Sequence, residues 1–200
     1  MAKATTAKTK KPAKVRQPKA VLPPASAYFI VESHDRTERH TLSVVVDNEP
    51  GVLARVIGLF SGRGYNIESL TVSETEHAKH LSRITIVTTG TNAILEQIKS
   101  QLERLVPVHR VNDLTIQGDA VERELALVKV AGRGELRVEA MRLASAFGAK
   151  TVDATLTSFV FELTGTTDEI ERFISLMVSV GLVEVSRTGV AALARGGEAM

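Results

Sequence analysis

No cysteine occurs among the 200 residues. That excludes disulfides, thiolate zinc sites and cysteine nucleophiles, and it suits a reducing, cytoplasmic setting. No stretch approaches the roughly 20 consecutive apolar residues of a membrane helix, so no membrane role is expected. Proline is scarce beyond the first two dozen residues, where only Pro50 and Pro107 remain. Acidic residues are missing from Met1 to Ala20, which carries seven Lys and Arg. Outside that segment the balance turns acidic, 18 Lys and Arg against 23 Asp and Glu, which argues against a nucleic-acid-binding body. Residues 1–38, with Pro12, Pro18, Pro23 and Pro24, are read as a disordered basic arm.

Signatures of catalysis are missing too. Neither a nucleophile elbow nor a P-loop is present, and Gly118-Asp119-Ala120 lacks the glycine and downstream asparagine of a thiamine-diphosphate motif. Gly62-x-Gly64 follows a helical pattern rather than a strand. Gly132-x-Gly134 has Arg137 where a phosphate cradle needs its third glycine. His77 and His80 share a polar turn, and His34, His40 and His109 are scattered, without metal-ligand spacing. The expectation is a chain with no catalytic residue, no metal and no cofactor of its own.

What the sequence does contain is a twice-repeated pattern. Leu42, Val44 and Val46 alternate as a strand, and Val52, Leu53, Val56, Ile57 and Phe60 follow at helical spacing from about Gly51 to Ser61. Strands are expected near Asn66–Ser73 and Leu81–Thr88. A helix striped by Ile94, Leu95, Ile98, Leu102 and Leu105 ends at Pro107, and a last strand runs from Val108 to Ile116. The order βαββαβ then recurs. Leu125–Val130 reads as a strand, Arg137–Phe147 as a helix, and Lys150–Ala154 with Ser158–Leu163 as a strand pair. A helix over Thr167–Val180 carries a Thr166-x-x-Glu169 capping box, and Leu182–Val185 closes the unit. The fold class is therefore α+β: two tandem ferredoxin-like units over 39–117 and 125–197, joined by a link at 118–124. With both helices on one sheet face, the other face needs solvent or a partner. Leu70, Val72 and Ile84 are assigned to it, which predicts at least a homodimer through the first unit.

The most informative run is Asp47 to Leu70. A strand ends in Asn48-Glu49-Pro50-Gly51, which opens a helix; that helix closes at Gly62-Arg63-Gly64, and Asn66-Ile67 begin the next strand. Free amides at a helix start attract a carboxylate, and glycine lets a ligand approach the main chain. The Asn48 amide can donate to a carboxylate and accept from an ammonium. A free amino acid is the ligand such parts suit. The same turn equally suits a plain helix cap with Pro50 in its first turn, and Asn66 equally suits a turn position. The two asparagines are read as lying at corresponding strand ends on the same edge of the sheet. The second unit has Ala131-Gly132-Arg133-Gly134 in place of this turn, so ligand binding is assigned to the first.

Asp47 to Val56 resembles the signature of ACT domains, βαββαβ modules that bind amino acids and regulate metabolic enzymes. The longer run Arg55-Val56-Ile57-Gly58-Leu59-Phe60-Ser61-x-Arg63-Gly64-Tyr65-Asn66-Ile67-Glu68-Ser69-Leu70-Thr71-Val72 resembles the small, regulatory subunits of acetolactate synthase. Leu81-Ser82-Arg83-Ile84-Thr85-Ile86, Val121-Glu122-Arg123-Glu124-Leu125 and Val183-Glu184-Val185-Ser186-Arg187-Thr188-Gly189-Val190 extend the likeness over about 39–196. The resemblance implies a separate large catalytic subunit holding thiamine diphosphate, magnesium and FAD, which joins pyruvate to a second 2-oxo acid on the route to valine, leucine and isoleucine. It implies activation of that subunit and feedback inhibition, most often by valine, with the effector between two ACT domains of a dimer. By motif, the effector contacts are Asn48, Gly51, Val52 and Leu53 from the turn and Asn66 and Ile67 from the facing strand end. Many relatives have serine where this chain has Ala54. A free-standing amino-acid sensor controlling another enzyme or a transcription regulator is the alternative.

Overall fold

The computed structural model describes residues 36–197 except 77, 79, 117 and 119. Most of the basic arm and His77 therefore lie outside the described residues. Within them, β1 (Glu38–Asp47), α1 (Val52–Arg63), β2 (Ser69–Glu76), β3 (Leu81–Gly90), α2 (Asn92–Leu102) and β4 (Val108–Asp113) form the first unit. Its antiparallel pairings give the order β2-β3-β1-β4. The second unit has β5 (Ala120–Ala131), α3 (Glu135–Ala146), β6 (Lys150–Ala154), β7 (Ser158–Gly165), α4 (Thr167–Val178), β8 (Leu182–Arg187) and β9 (Ala191–Ala194). Its sheet runs β6-β7-β5-β8, and β9 pairs with the start of β5. The expected double βαββαβ fold is what the chain adopts. Among the described residues no helix is long and apolar enough to cross a membrane.

Each unit has its own core. In the first, Val52, Val56 and Phe60 on α1 and Ile98 and Leu102 on α2 pack against Leu42, Val44, Val46, Ile84 and Ile86. Those helical spacings of four lay one apolar stripe on the sheet. In the second, Ala140 and Ala144 on α3 let that helix lie close. Phe161 and Phe173 meet edge-to-face at 6.4 Å beneath Ile170 and Met177.

Several expectations shift. β4 stops at Asp113, because its carboxylate accepts the Thr115 and Ile116 amides and turns the chain. β2 starts at Ser69 rather than Asn66. Gly64 takes the left-handed conformation that ends α1, Tyr65 donates its amide to the Phe60 carbonyl, and the Asn66 carbonyl accepts from the Thr88 hydroxyl instead of joining the ladder. The stretch 118–124 is no free link: from Ala120 onward it is the first half of β5, paired with Ala191–Ala194. So short and alanine-rich a strand as β9 leaves little periodicity to read.

The assignment of sheet faces also changes. Leu70 and Val72 pair with Ile86 and Ile84, so all four lie on the helix side, not on the open face. The open face carries Thr41, Ser43, Thr71, Ser73, Arg83, Thr85 and Val87. The chain covers part of it itself. Val190 and Ala192, with Ala120 and Ala194 from the β5–β9 ribbon, bury Val87 and Leu114 in a third core. A cavity of about 430 Å³ remains between ribbon and sheet, lined by Thr71, Arg83, Thr85, Val121, Ala191 and Leu193 among others.

The capping box at α4 is formed in full. Thr166 Oγ1 accepts from the Glu169 amide at 3.3 Å, and Glu169 Oε2 accepts from the Thr166 amide at 2.7 Å. That backbone amide, then the Thr166 hydroxyl, hold the Glu169 carboxyl below its usual range. A carboxylate whose pKa falls on folding adds stability above its unfolded value and loses it as pH drops through the folded one. Thr166→Ala is expected to cost about 1 kcal/mol near neutrality, and the deficit should narrow on acidification. Urea midpoints across pH check this; a deficit that grows toward acid pH would contradict it.

Candidate functional site

The turn at the end of β1 is held from below and open above. Asp47 donates its amide to the Pro107 carbonyl at 2.9 Å, and Asn48 donates to the His80 carbonyl at 2.7 Å. Asn48, Glu49, Pro50 and Gly51 are exposed. Gly51 caps α1 with φ at +88°, and nothing lies within 4 Å of where a Cβ would stand. No side chain caps the helix, and its first turn holds no acidic residue. Asn48 is therefore not the helix cap that its sequence context equally allowed. The Val52 amide makes a long 3.4 Å bond back to the Glu49 carbonyl, and the positive end of α1, without an acid of its own, favours an anionic group.

Val52 is buried under the turn, whereas Leu53 is 37% exposed and offers an apolar surface beside it. At the rim, His109 Nε2 lies 2.6 Å from Asp47 Oδ1. The chemistry on offer is recognition of a small molecule with a carboxylate, a second polar group and an apolar side chain. Among the described residues no group of three or more His, Asp or Glu is placed to hold a metal ion.

Asn48, Gly51, Val52 and Leu53 are thus brought together. Asn66 and Ile67 are not with them. Asp47 pairs with Leu81 at one end of β3, while Ser69 pairs with Val87, which pairs with Thr41 at the other end. The interval from Thr41 to Asp47 along β1 spans about 20 Å at the usual strand rise. The expectation that both asparagines share one sheet end fails within one chain, because the crossover through α1 makes β1 and β2 parallel. Asn66 is exposed and Ile67 half-buried at the far end, where the second unit docks.

Residues that the sequence did not single out gather at that docking end. Arg39 lies 3.3 Å from Glu68 and 3.6 Å from Glu122. Arg187 holds Glu124 through two short bonds, of 2.5 and 2.7 Å. Nothing in local periodicity marks them, since their partners are 29 to 83 positions away.

Comparison with known proteins agrees with this architecture. Residues 42–110 match the family model described as an AHAS small subunit-like ACT domain, and 123–196 match the one described as the small subunit of acetolactate synthase. The small subunit of acetolactate synthase isozyme 3 from Salmonella typhimurium is 48% identical over 81% of this chain and 99% of its own. The acetolactate synthase small subunit of Mycolicibacterium smegmatis is 41% identical over 80% of this chain and 93% of its own. The crystal structure of the acetolactate synthase small subunit from Thermotoga maritima superposes with a TM-score of 0.72 at 36% identity, covering 80% of this chain and 99% of that one.

Proposed function

The chain belongs to the small subunits of acetolactate synthase, and from that membership we propose that it activates a separate large catalytic subunit and makes it sensitive to a branched-chain amino acid, valine first among them. Thiamine diphosphate, magnesium and FAD belong to that partner in this reading, and the small subunit contributes no reacting group. The observation that carries the effector assignment is the open turn Asn48–Gly51 at the start of a helix with no acid in its first turn. The Gly51 amide, with the Val52 amide drawn from its long bond to the Glu49 carbonyl, receives the carboxylate, Asn48 bridges carboxylate and ammonium, and Leu53 and Ile67 line the side-chain pocket.

The separation of Asn48 from Asn66 supports a site shared between two copies. β2 is an edge strand of the first sheet, with free pairing groups along one side. Antiparallel pairing of two β2 edges about a two-fold axis sets the start of one β2 against the end of the other. Glu76 at that end pairs with Leu81, which pairs with Asp47. The partner copy's Asn66 and Ile67 thereby arrive at the sheet end that carries Asn48 to Leu53. Each half of the site is then completed by the other copy.

Reconstitution tests the reading. The purified chain is expected to make no acetolactate from pyruvate and to raise the turnover of a co-purified thiamine-dependent large subunit. Valine is expected to lower that raised turnover. Acetolactate formation by this chain alone, or indifference of the large subunit to it, would sink the proposal. Recovery with an unrelated enzyme instead would favour the free-standing sensor.

A further inference from the structure

The residues directly after Ile67 are fastened to the second unit. Glu68 is held to the first sheet by its amide, which donates to the Val87 carbonyl at 2.8 Å, and its carboxylate accepts from the Thr89 hydroxyl. The same carboxylate meets Arg39 Nε at 3.3 Å. Arg39 in turn reaches Glu122 on β5 at 3.6 Å and donates to Thr167 Oγ1 at the start of α4 at 3.4 Å. One position on, Ser69 Oγ accepts from the Val190 amide at 2.9 Å.

Gly189 marks how close this approach is. Its φ is +82°, and a Cβ there would stand 2.7 Å from Ser69 Oγ and 3.0 Å from Thr71 Oγ1. The turn it belongs to is anchored to the second unit by Thr188, whose amide donates to the Leu125 carbonyl at 3.0 Å and whose hydroxyl accepts from the Leu125 amide at 3.2 Å. Two short paths, Glu68–Arg39–Thr167 and Ser69–Val190, therefore run from the end of the Asn66–Ile67 segment into α4 and the β8–β9 turn.

The Arg39 contact is of a kind that can open. Arg39 and Glu68 are each more than a third exposed, and such ion pairs add little to stability. The two units stay joined without them through the apolar cluster of Val87, Leu114, Val190 and Ala192. Beside the contacts lies a cleft of about 520 Å³, lined by Arg39, Glu68, Asp168, Glu171, Arg187 and Gly189 among others. That space lets the start of α4 shift against Glu68 while the apolar cluster, Val190 included, stays packed.

We propose that Arg39 and Ser69 form a latch through which effector occupancy at Asn66–Ile67 sets the position of the second unit. The inference rests on the effector assignment above and adds the route by which binding is felt elsewhere in the chain. An effector seated on the Asn66–Ile67 segment fixes Glu68 and Ser69, keeps both contacts closed and holds the second unit in the arrangement they define. Coupling between sites commonly changes a response by roughly 5- to 150-fold, and here it passes through two positioning residues that do not touch the effector.

The test uses the full-length chain, alone and with its catalytic subunit. Hydrogen exchange is measured with and without saturating valine, and valine binding is followed by calorimetry. In the unaltered chain valine should slow exchange of the Val190 amide. In Arg39→Met and Ser69→Ala valine should still bind, activation of the catalytic subunit should persist, and the half-inhibiting valine concentration should rise about tenfold, in the range usual for such coupling. Arg39→Lys, which keeps the charge, should recover much of the response. Valine binding with no change at Val190, or unaltered inhibition in both variants, overturns the latch alone. No valine binding to the unaltered chain overturns the effector assignment and the latch with it.

Discussion

Gly51→Asp should abolish valine inhibition of the reconstituted enzyme while activation survives. The left-handed conformation at Gly51 (φ +88°) is one that aspartate tolerates better than most residues, and its Cβ would meet no protein atom within 4 Å. The fold is therefore expected to persist. The space in front of Gly51 is where an effector carboxylate must come, and a fixed carboxylate there repels it and occupies its place. Asn48→Ala should do less. It removes a hydrogen bond to a charged group, worth about 1.5–3 kcal/mol or roughly ten- to a hundredfold in affinity. A mixing experiment then separates a shared site from one contained in each chain. Dimers formed from Gly51→Asp chains and Asn66→Ala chains retain one intact site if each site draws on both copies, and so recover part of the inhibition that Gly51→Asp homodimers lose. If sites were confined to single chains, every mixed dimer would carry one lesion per site and recover little. Unchanged inhibition in Gly51→Asp places the effector elsewhere.

Much of this was legible because local chemistry and tertiary structure agree. The stripe Val52, Val56, Phe60 faces the sheet as its spacing demands, and the Thr166–Glu169 box opens α4 where it was expected. The turn at Asn48–Gly51 stands where strand gives way to helix. What failed was long-range. Alternation along β2 separates two faces but does not say which one the helices cover, so it cannot place Leu70, Val72 and Ile84 on the helix side. Nor does it foresee that a chain will cover its own sheet. The ribbon of Ala120–Arg123 and Ala191–Ala194 comes from segments nearly 70 residues apart, and half of its residues are alanine. The separation of Asn48 from Asn66 was open to deduction. A helix between two strands of one sheet returns the chain to the starting end, which makes the strands parallel and sets the end of one opposite the start of the next. Strands so joined put Asn48 and Asn66 at opposite sheet ends, so a site that uses both needs a second copy.

The largest stability effect is expected where the two halves of β5 meet. Glu124 is 4% exposed and receives Arg187 Nε at 2.5 Å and Nη2 at 2.7 Å, a two-point match of carboxylate and guanidinium. Removing one member of a buried pair commonly costs about 3–5 kcal/mol, because the other is left charged without compensation. The two members are not equivalent here. Arg187 is a third exposed and reaches toward Glu171 at 3.9 Å, so it can regain water if Glu124 is lost. Glu124 has no such recourse if Arg187 is lost. Arg187→Met should therefore approach the upper part of that range, and Glu124→Gln, which keeps the shape and one acceptor, should cost clearly less. The double variant should fall between them, since the stranded carboxylate is gone. Urea denaturation of the three variants and the parent checks the order. Equal losses from the two single variants would mean that the pair acts as an ordinary surface contact. Because Glu124 and Arg187 adjoin Leu125 and Thr188, the Arg187→Met chain should also loosen the β8–β9 turn, visible as faster exchange at the Thr188 amide even under conditions where the first unit remains folded.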